Sequence, residues 1–129
     1  MNIQIGKITK SVLVIEDQAI ARKTVRQQLE YYGYTVLEAS SGKEGLQLFN
    51  QNKTEVGMIL LDLSLPDVSS EQMLAALRTL EPNVKVAVCT DESLTESKSK
   101  KEFKDLVGIL KRPVRTDRLL AVLRQGLEG

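Results

Sequence analysis

The 129 residues suffice for one domain that buries roughly two-thirds of its unfolded surface, and 42% hydrophobic with 27% charged residues is an ordinary globular balance. A net charge of +1 gives no electrostatic reason to bind nucleic acid or a membrane. Histidine is absent, which removes Ser–His and Cys–His catalysis, His-ligated zinc and a phosphohistidine carrier, and the single Cys89 cannot close an internal disulfide.

"SVLVIED" (Ser11–Asp17) is β-branched and reads as the first strand. From Gln18 to Tyr32, Ala21, Val25, Leu29 and Tyr32 recur at helical spacing, and Gly33 is a helix stop. "YTVLEA" is a second, weaker strand, and "SSGKEGLQLFNQ" a capped helix despite Gly45 inside it. "VGMILLDL" is the third strand, and Ser69 or Ser70 can cap the helix that carries Met73, Leu74, Leu77 and Leu80. "VKVAVCT" is a fourth strand with Cys89 as a small buried hydrophobe, and "LVGILKR" is a fifth. Between them lies the span Asp91–Asp105, where a fourth helix belongs; only Leu94 and Phe103 are strongly apolar, so it can cover little sheet. Thr116 can cap a last helix bearing Leu119, Leu120, Leu123 and Leu127.

This alternation predicts an α/β fold, a parallel sheet covered on both faces, with the two most apolar strands, the first and third, inside. No run approaches the ~20 apolar residues of a membrane span, and no secretory segment follows Met1, so a cytoplasmic protein is expected. Residues 1–10 read as an N-terminal extension to a domain over 11–129.

In open α/β sheets, ligands bind beyond the carboxyl ends of the strands. There this sequence places Glu16 and Asp17, Asp62, Thr90, and Lys111–Arg112 before Pro113. Each has a bland reading as a strand-end cap or helix start; their common placement is harder to dismiss. Clustered carboxylates repel one another, and a hard cation such as Mg²⁺ relieves the repulsion. An aspartate held between metal and cation is placed to attack phosphorus, with Thr90 and the fifth-strand cation facing phosphoryl oxygens.

In this order, Glu16–Asp17, Asp62 with Pro66 four residues on, Thr90, and a basic residue before Pro113 resemble the receiver domain of two-component response regulators (CheY-like) over nearly the whole chain. The resemblance implies a doubly wound (βα)5 three-layer sandwich, flavodoxin-like, with strand order 2-1-3-4-5 and five helices. It implies phosphoryl transfer to Asp62 from a phosphohistidine on a histidine kinase or histidine phosphotransfer protein. Mg²⁺ (or Mn²⁺) would be held by Glu16, Asp17, Asp62 and the Ser64 carbonyl. Output would pass to a downstream protein target, from a monomer or weak dimer.

Three positions depart from the pattern. Arg112 stands where the family has Lys, and Lys111, one residue earlier, should face the other way along a strand, so Arg112 is expected in the site. Ile109 holds the place of an aromatic switch residue and reads as core. Ser70 replaces a Gly. A receiver-like docking module that is no longer phosphorylated is the alternative. A Mg²⁺-dependent phosphatase with an aspartate nucleophile is weaker, since Ser64 occupies the place of its second aspartate. Lys98, Lys100, Lys101 and Lys104 are interleaved with acidic residues, and they and Arg115, Arg118 and Arg124 read as solvated faces and no nucleic-acid surface. The first-helix surface around Ile20, Arg22, Lys23 and Arg26 is the expected kinase-docking face.

Overall fold

The computed structural model describes residues 10–91 and 103–128. Five parallel strands form one sheet in the order 2-1-3-4-5: β1 (Ser11–Ile15), β2 (Val36–Ala39), β3 (Val56–Asp62), β4 (Val86–Thr90) and β5 (Gly108–Lys111). Four helices are described: α1 (Ala19–Tyr31), α2 (Gly42–Gln51), α3 (Ser70–Leu80) and α4 (Thr116–Glu128). The expected order is thus found, with β1, β3 and β4 inside and buried along nearly their whole length.

Strand alternation divides the core into two layers. Leu13, Ile15, Ile59, Leu61, Val86 and Val88 face one side, against Phe49 of α2 and Met73, Leu74 and Leu77 of α3. Val12, Val14, Met58, Leu60, Ala87, Cys89 and Leu110 face the other, against Leu29 of α1 and Leu119, Val122 and Leu123 of α4. Among the described residues no helix is long and apolar enough to cross a membrane.

Local chemistry sets the helix starts. Ser69, not Ser70, caps α3 through a reciprocal box in which Ser69 Oγ accepts from Gln72 N at 3.1 Å and Gln72 Oε1 accepts from Ser69 N at 3.5 Å. Ser41 Oγ accepts from Glu44 N at 3.0 Å at the start of α2. Asp67, in the loop after β3, completes that terminus by accepting from Gly42 N and Lys43 N at 3.0 Å each, and these two N–H groups hold its carboxyl below the usual range. Gly45, unfavourable by helix propensity, is explained by packing: a Cβ there would lie 2.6 Å from Ile15 Cδ1.

Two expectations need correction. Thr116 is the first helical residue of α4, not its cap; its hydroxyl accepts instead from Gln28 Nε2 of α1 at 3.3 Å, tying the two helices on that face together. Ile109 is not core: it is 36% exposed on the edge strand β5 and lines an open groove of about 430 Å³ with Lys111, Arg115 and Arg118. The expected fourth helix falls mostly on 92–102, outside the described residues. Of its end, Phe103 is buried against the α2–α3 side of the core, and Asp105 adopts φ 66° in a turn.

Candidate functional site

The side-chain alternation that builds the core also builds the site. Val14, Leu60 and Leu110 all point into the layer under α1 and α4. Two residues further along each strand come Glu16, Asp62 and Arg112, so all three are delivered to one side of one sheet edge. Lys111, one step out of phase, is exposed. Backbone bonds continue the ladders past the strand ends and hold the register: Glu16 N donates to Ala39 O at 3.0 Å, Leu63 N to Cys89 O at 3.1 Å and Arg112 N to Thr90 O at 2.8 Å. The Arg112–Pro113 peptide is cis.

Glu16 and Asp62 are each only 5% exposed, Asp17 is half-buried, and one carboxylate oxygen from each lies within 4.8 Å of the others. Arg112 sits against this group. Its Nη2 donates to Glu16 Oε1, and its Nη1 lies 3.2 Å from Asp62 Oδ1 and 3.3 Å from Asp91 Oδ1. Glu16 Oε2 accepts from Gln18 N at 3.1 Å, and Asp62 Oδ1 also accepts from Ser64 N at 3.2 Å. Burial pushes the Glu16 carboxyl up, as does the neighbouring charge of Asp62, against the opposing pull of the Gln18 N–H and Arg112. Burial also opposes the Arg112 charge, but Asp62 and Glu16 outweigh it and raise the guanidinium above its ordinary value. Burial lifts the Cys89 thiol, beneath the site, to about 11 and keeps it a packing residue.

The donor set suits a small divalent cation. Three hard carboxylate oxygens converge, and one guanidinium cannot neutralise three carboxylates. Glu16, Asp17 and Asp62 could therefore hold Mg²⁺. Ser64 is adjacent and donates its N–H to Asp62. Thr90 is buried at the end of β4, in register with Lys111.

Two contributors escaped the reading of the sequence. Asp91 extends the acidic group toward solvent, and its only signal was its place directly after the strand-end Thr90. Arg22, read only as part of a docking surface, donates through Nη1 to the Glu16 carbonyl at 2.8 Å and through Nε to Glu38 Oε1 at 3.2 Å. On the same helix Ile20 is 84% exposed, Lys23 is exposed, and Arg26 pairs with Glu30 and Glu38.

Comparison with known proteins gives a consistent picture. Residues 12–124 match the model of the response regulator receiver domain. The cell cycle transcriptional regulator CtrA of Caulobacter vibrioides is 29% identical over 110 residues, which is 85% of this chain and 47% of that protein. The curated relatives first matched are longer: this chain spans between 7% and 47% of their length. Among solved structures, a receiver domain protein from Clostridium thermocellum superposes with a TM-score of 0.84 at 24% identity, covering 92% of this chain and 94% of that one. A response regulator from Burkholderia pseudomallei, solved with a phosphorylated aspartic acid and a calcium ion, is 29% identical with a TM-score of 0.75, covering 88% and 66%.

Proposed function

This chain belongs to the response regulator receiver domain family, a signalling family, and from that membership we propose that Asp62 accepts a phosphoryl group from a phosphohistidine on a histidine kinase or phosphotransfer protein. The observation that carries the reading is Asp62 itself: a carboxylate 5% exposed at a strand end, beside Glu16 and Asp17, with a guanidinium 3.2 Å from its Oδ1.

An Asp62 oxygen attacks phosphorus, the P–N bond to the donor imidazole breaks with its electron pair going to the imidazole, and an acyl phosphate forms. Ser64 N–H orients the Asp62 carboxylate before attack. Arg112 and Thr90 then donate to phosphoryl oxygens, Arg112 with a planar fork where the usual residue is a compact ammonium. Glu16 and Asp17, with Asp62 and the Ser64 carbonyl, would hold Mg²⁺ (or Mn²⁺), which would supply positive charge against the phosphoryl oxygens. The exposed Ile20 and Lys23, on the helix that starts beside Asp17, form the docking face for the phosphodonor. Output passes to another protein by surface contact, from a monomer or weak dimer in the cytoplasm; no turnover beyond self-catalysed gain and loss of phosphate and no nucleic-acid contact is part of this reading.

One observation favours the alternative of a docking module that is not phosphorylated: Arg112 already engages both Asp62 and Glu16. Incubation with Mg²⁺ and a small phosphodonor, read by intact mass, separates the two. Wild type should gain one phosphoryl group and Asp62→Asn none. A wild type that takes up no phosphoryl group from either a small donor or a phosphorylated kinase would refute the acceptor reading.

A further inference from the structure

We propose that Arg112 is a competitive latch on the acidic site: its guanidinium spans Glu16 and Asp62, and a divalent cation enters among Glu16, Asp17 and Asp62 only as that span is given up. The inference rests on the reading above that these carboxylates hold Mg²⁺.

The geometry points to competition because the guanidinium engages two of the three carboxylates that would hold the metal. Arg112 uses a different terminal nitrogen for each carboxylate, Nη2 for Glu16 Oε1 and Nη1 for Asp62 Oδ1. The other Glu16 oxygen is engaged by Gln18 N, and Asp62 Oδ1 is shared with Ser64 N. A metal that draws on Glu16 Oε1 or Asp62 Oδ1 takes lone pairs now directed at the guanidinium, and places a second positive charge beside it.

Asp91 gives the displaced group a destination. Its side chain is 71% exposed and already lies 3.3 Å from Nη1, so Arg112 can leave the two inner carboxylates while keeping a partner at the rim. A lysine in this place has one ammonium nitrogen on a flexible stem, so it spans both carboxylates only by holding that one atom between them, whereas the fork gives each carboxylate a nitrogen of its own. The latch is therefore a property of the fork, not of the charge.

The discriminating variant is Arg112→Lys, which keeps the charge and removes the fork; Arg112→Ala removes both. Mn²⁺ binding, followed through the free-ion electron paramagnetic resonance signal, is compared for wild type, both variants and Asp62→Asn, each with its far-UV circular dichroism checked. Arg112→Lys should bind about three- to tenfold tighter than wild type, the scale set by the net worth of one ordinary hydrogen bond given up, and Arg112→Ala at least as tightly. Equal or weaker binding by Arg112→Lys, with Arg112→Ala alone tighter, overturns the latch and leaves only a bare charge effect. Absence of saturable binding in every protein overturns the metal reading instead, and the latch with it.

Discussion

Replacing Asp62 with asparagine should make the metal-free protein more stable, although it removes one end of a buried ion pair. Asp62 is attracted to Arg112 at 3.2 Å and repelled by Glu16 and Asp17, whose nearest ligand oxygens lie within 4.8 Å. At an effective dielectric of about 20, the attraction is about 5 kcal/mol and the two repulsions about 3.5 kcal/mol or more each, so the pairwise sum favours neutralising Asp62 by about 2 kcal/mol. Desolvation of a 5% exposed carboxylate adds in the same direction. Asparagine keeps an acceptor for Ser64 N–H and Arg112, and its amide can donate to Glu16. The net expectation is a gain of about 1–2 kcal/mol, or an upward shift of about 0.5–1 M in the urea midpoint. Urea titration followed by circular dichroism, in chelator at neutral pH, measures it. Millimolar Mg²⁺ should then invert the order by stabilising wild type more than Asp62→Asn. An Asp62→Asn midpoint at or below that of wild type in chelator would refute the argument, because the carboxylates would then not be in net repulsion.

Three further outcomes follow from particular contacts. Gly45→Ala should destabilise by about 1–3 kcal/mol despite a better helix propensity, because the new methyl meets Ile15 at 2.6 Å in a close-packed core; a stabilised variant in urea would show that Ile15 can move freely. Ser69→Ala should cost about 1 kcal/mol by opening the α3 capping box, with phosphoryl uptake at Asp62 unchanged in a mass assay. Asp67 has a lowered pKa when folded, so the folded state binds fewer protons than the unfolded one near and below the ordinary value of 3.8. Its contribution is present above that value and lost as pH falls through the folded pKa. Asp67→Asn should flatten that part of the acid-unfolding curve, and an unchanged curve would show that the Gly42 and Lys43 bonds do not favour the charged form.

The sheet and most helices were legible because periodicity and burial coincide. A short continuous apolar run such as Met58–Leu61, in a segment too brief for a buried helix, fits an inner parallel strand, and strand phase alone separated Arg112 from Lys111. Ile109 misled because an isoleucine in a strand implies core only when both faces are covered, and β5 is an edge. Thr116 misled by one position, since a threonine near a helix start can cap it or bond across to another helix. Gly45 looked like a flaw until Ile15 was seen against it. Strand ends announced the three carboxylates and the arginine that meet in the structure. The Arg22 bond to the Glu16 carbonyl and the reach of Asp91 toward Arg112 depend on side-chain length across three dimensions, which no spacing rule encodes.

The Arg22 contact ties α1 to the backbone that carries Glu16. This side chain leaves α1, spans to Glu38 on the neighbouring strand and pins the peptide oxygen of Glu16. A visiting protein that offers its own carboxylate to Arg22 would pull on that peptide, and the angle at which Glu16 meets the cluster would shift with it.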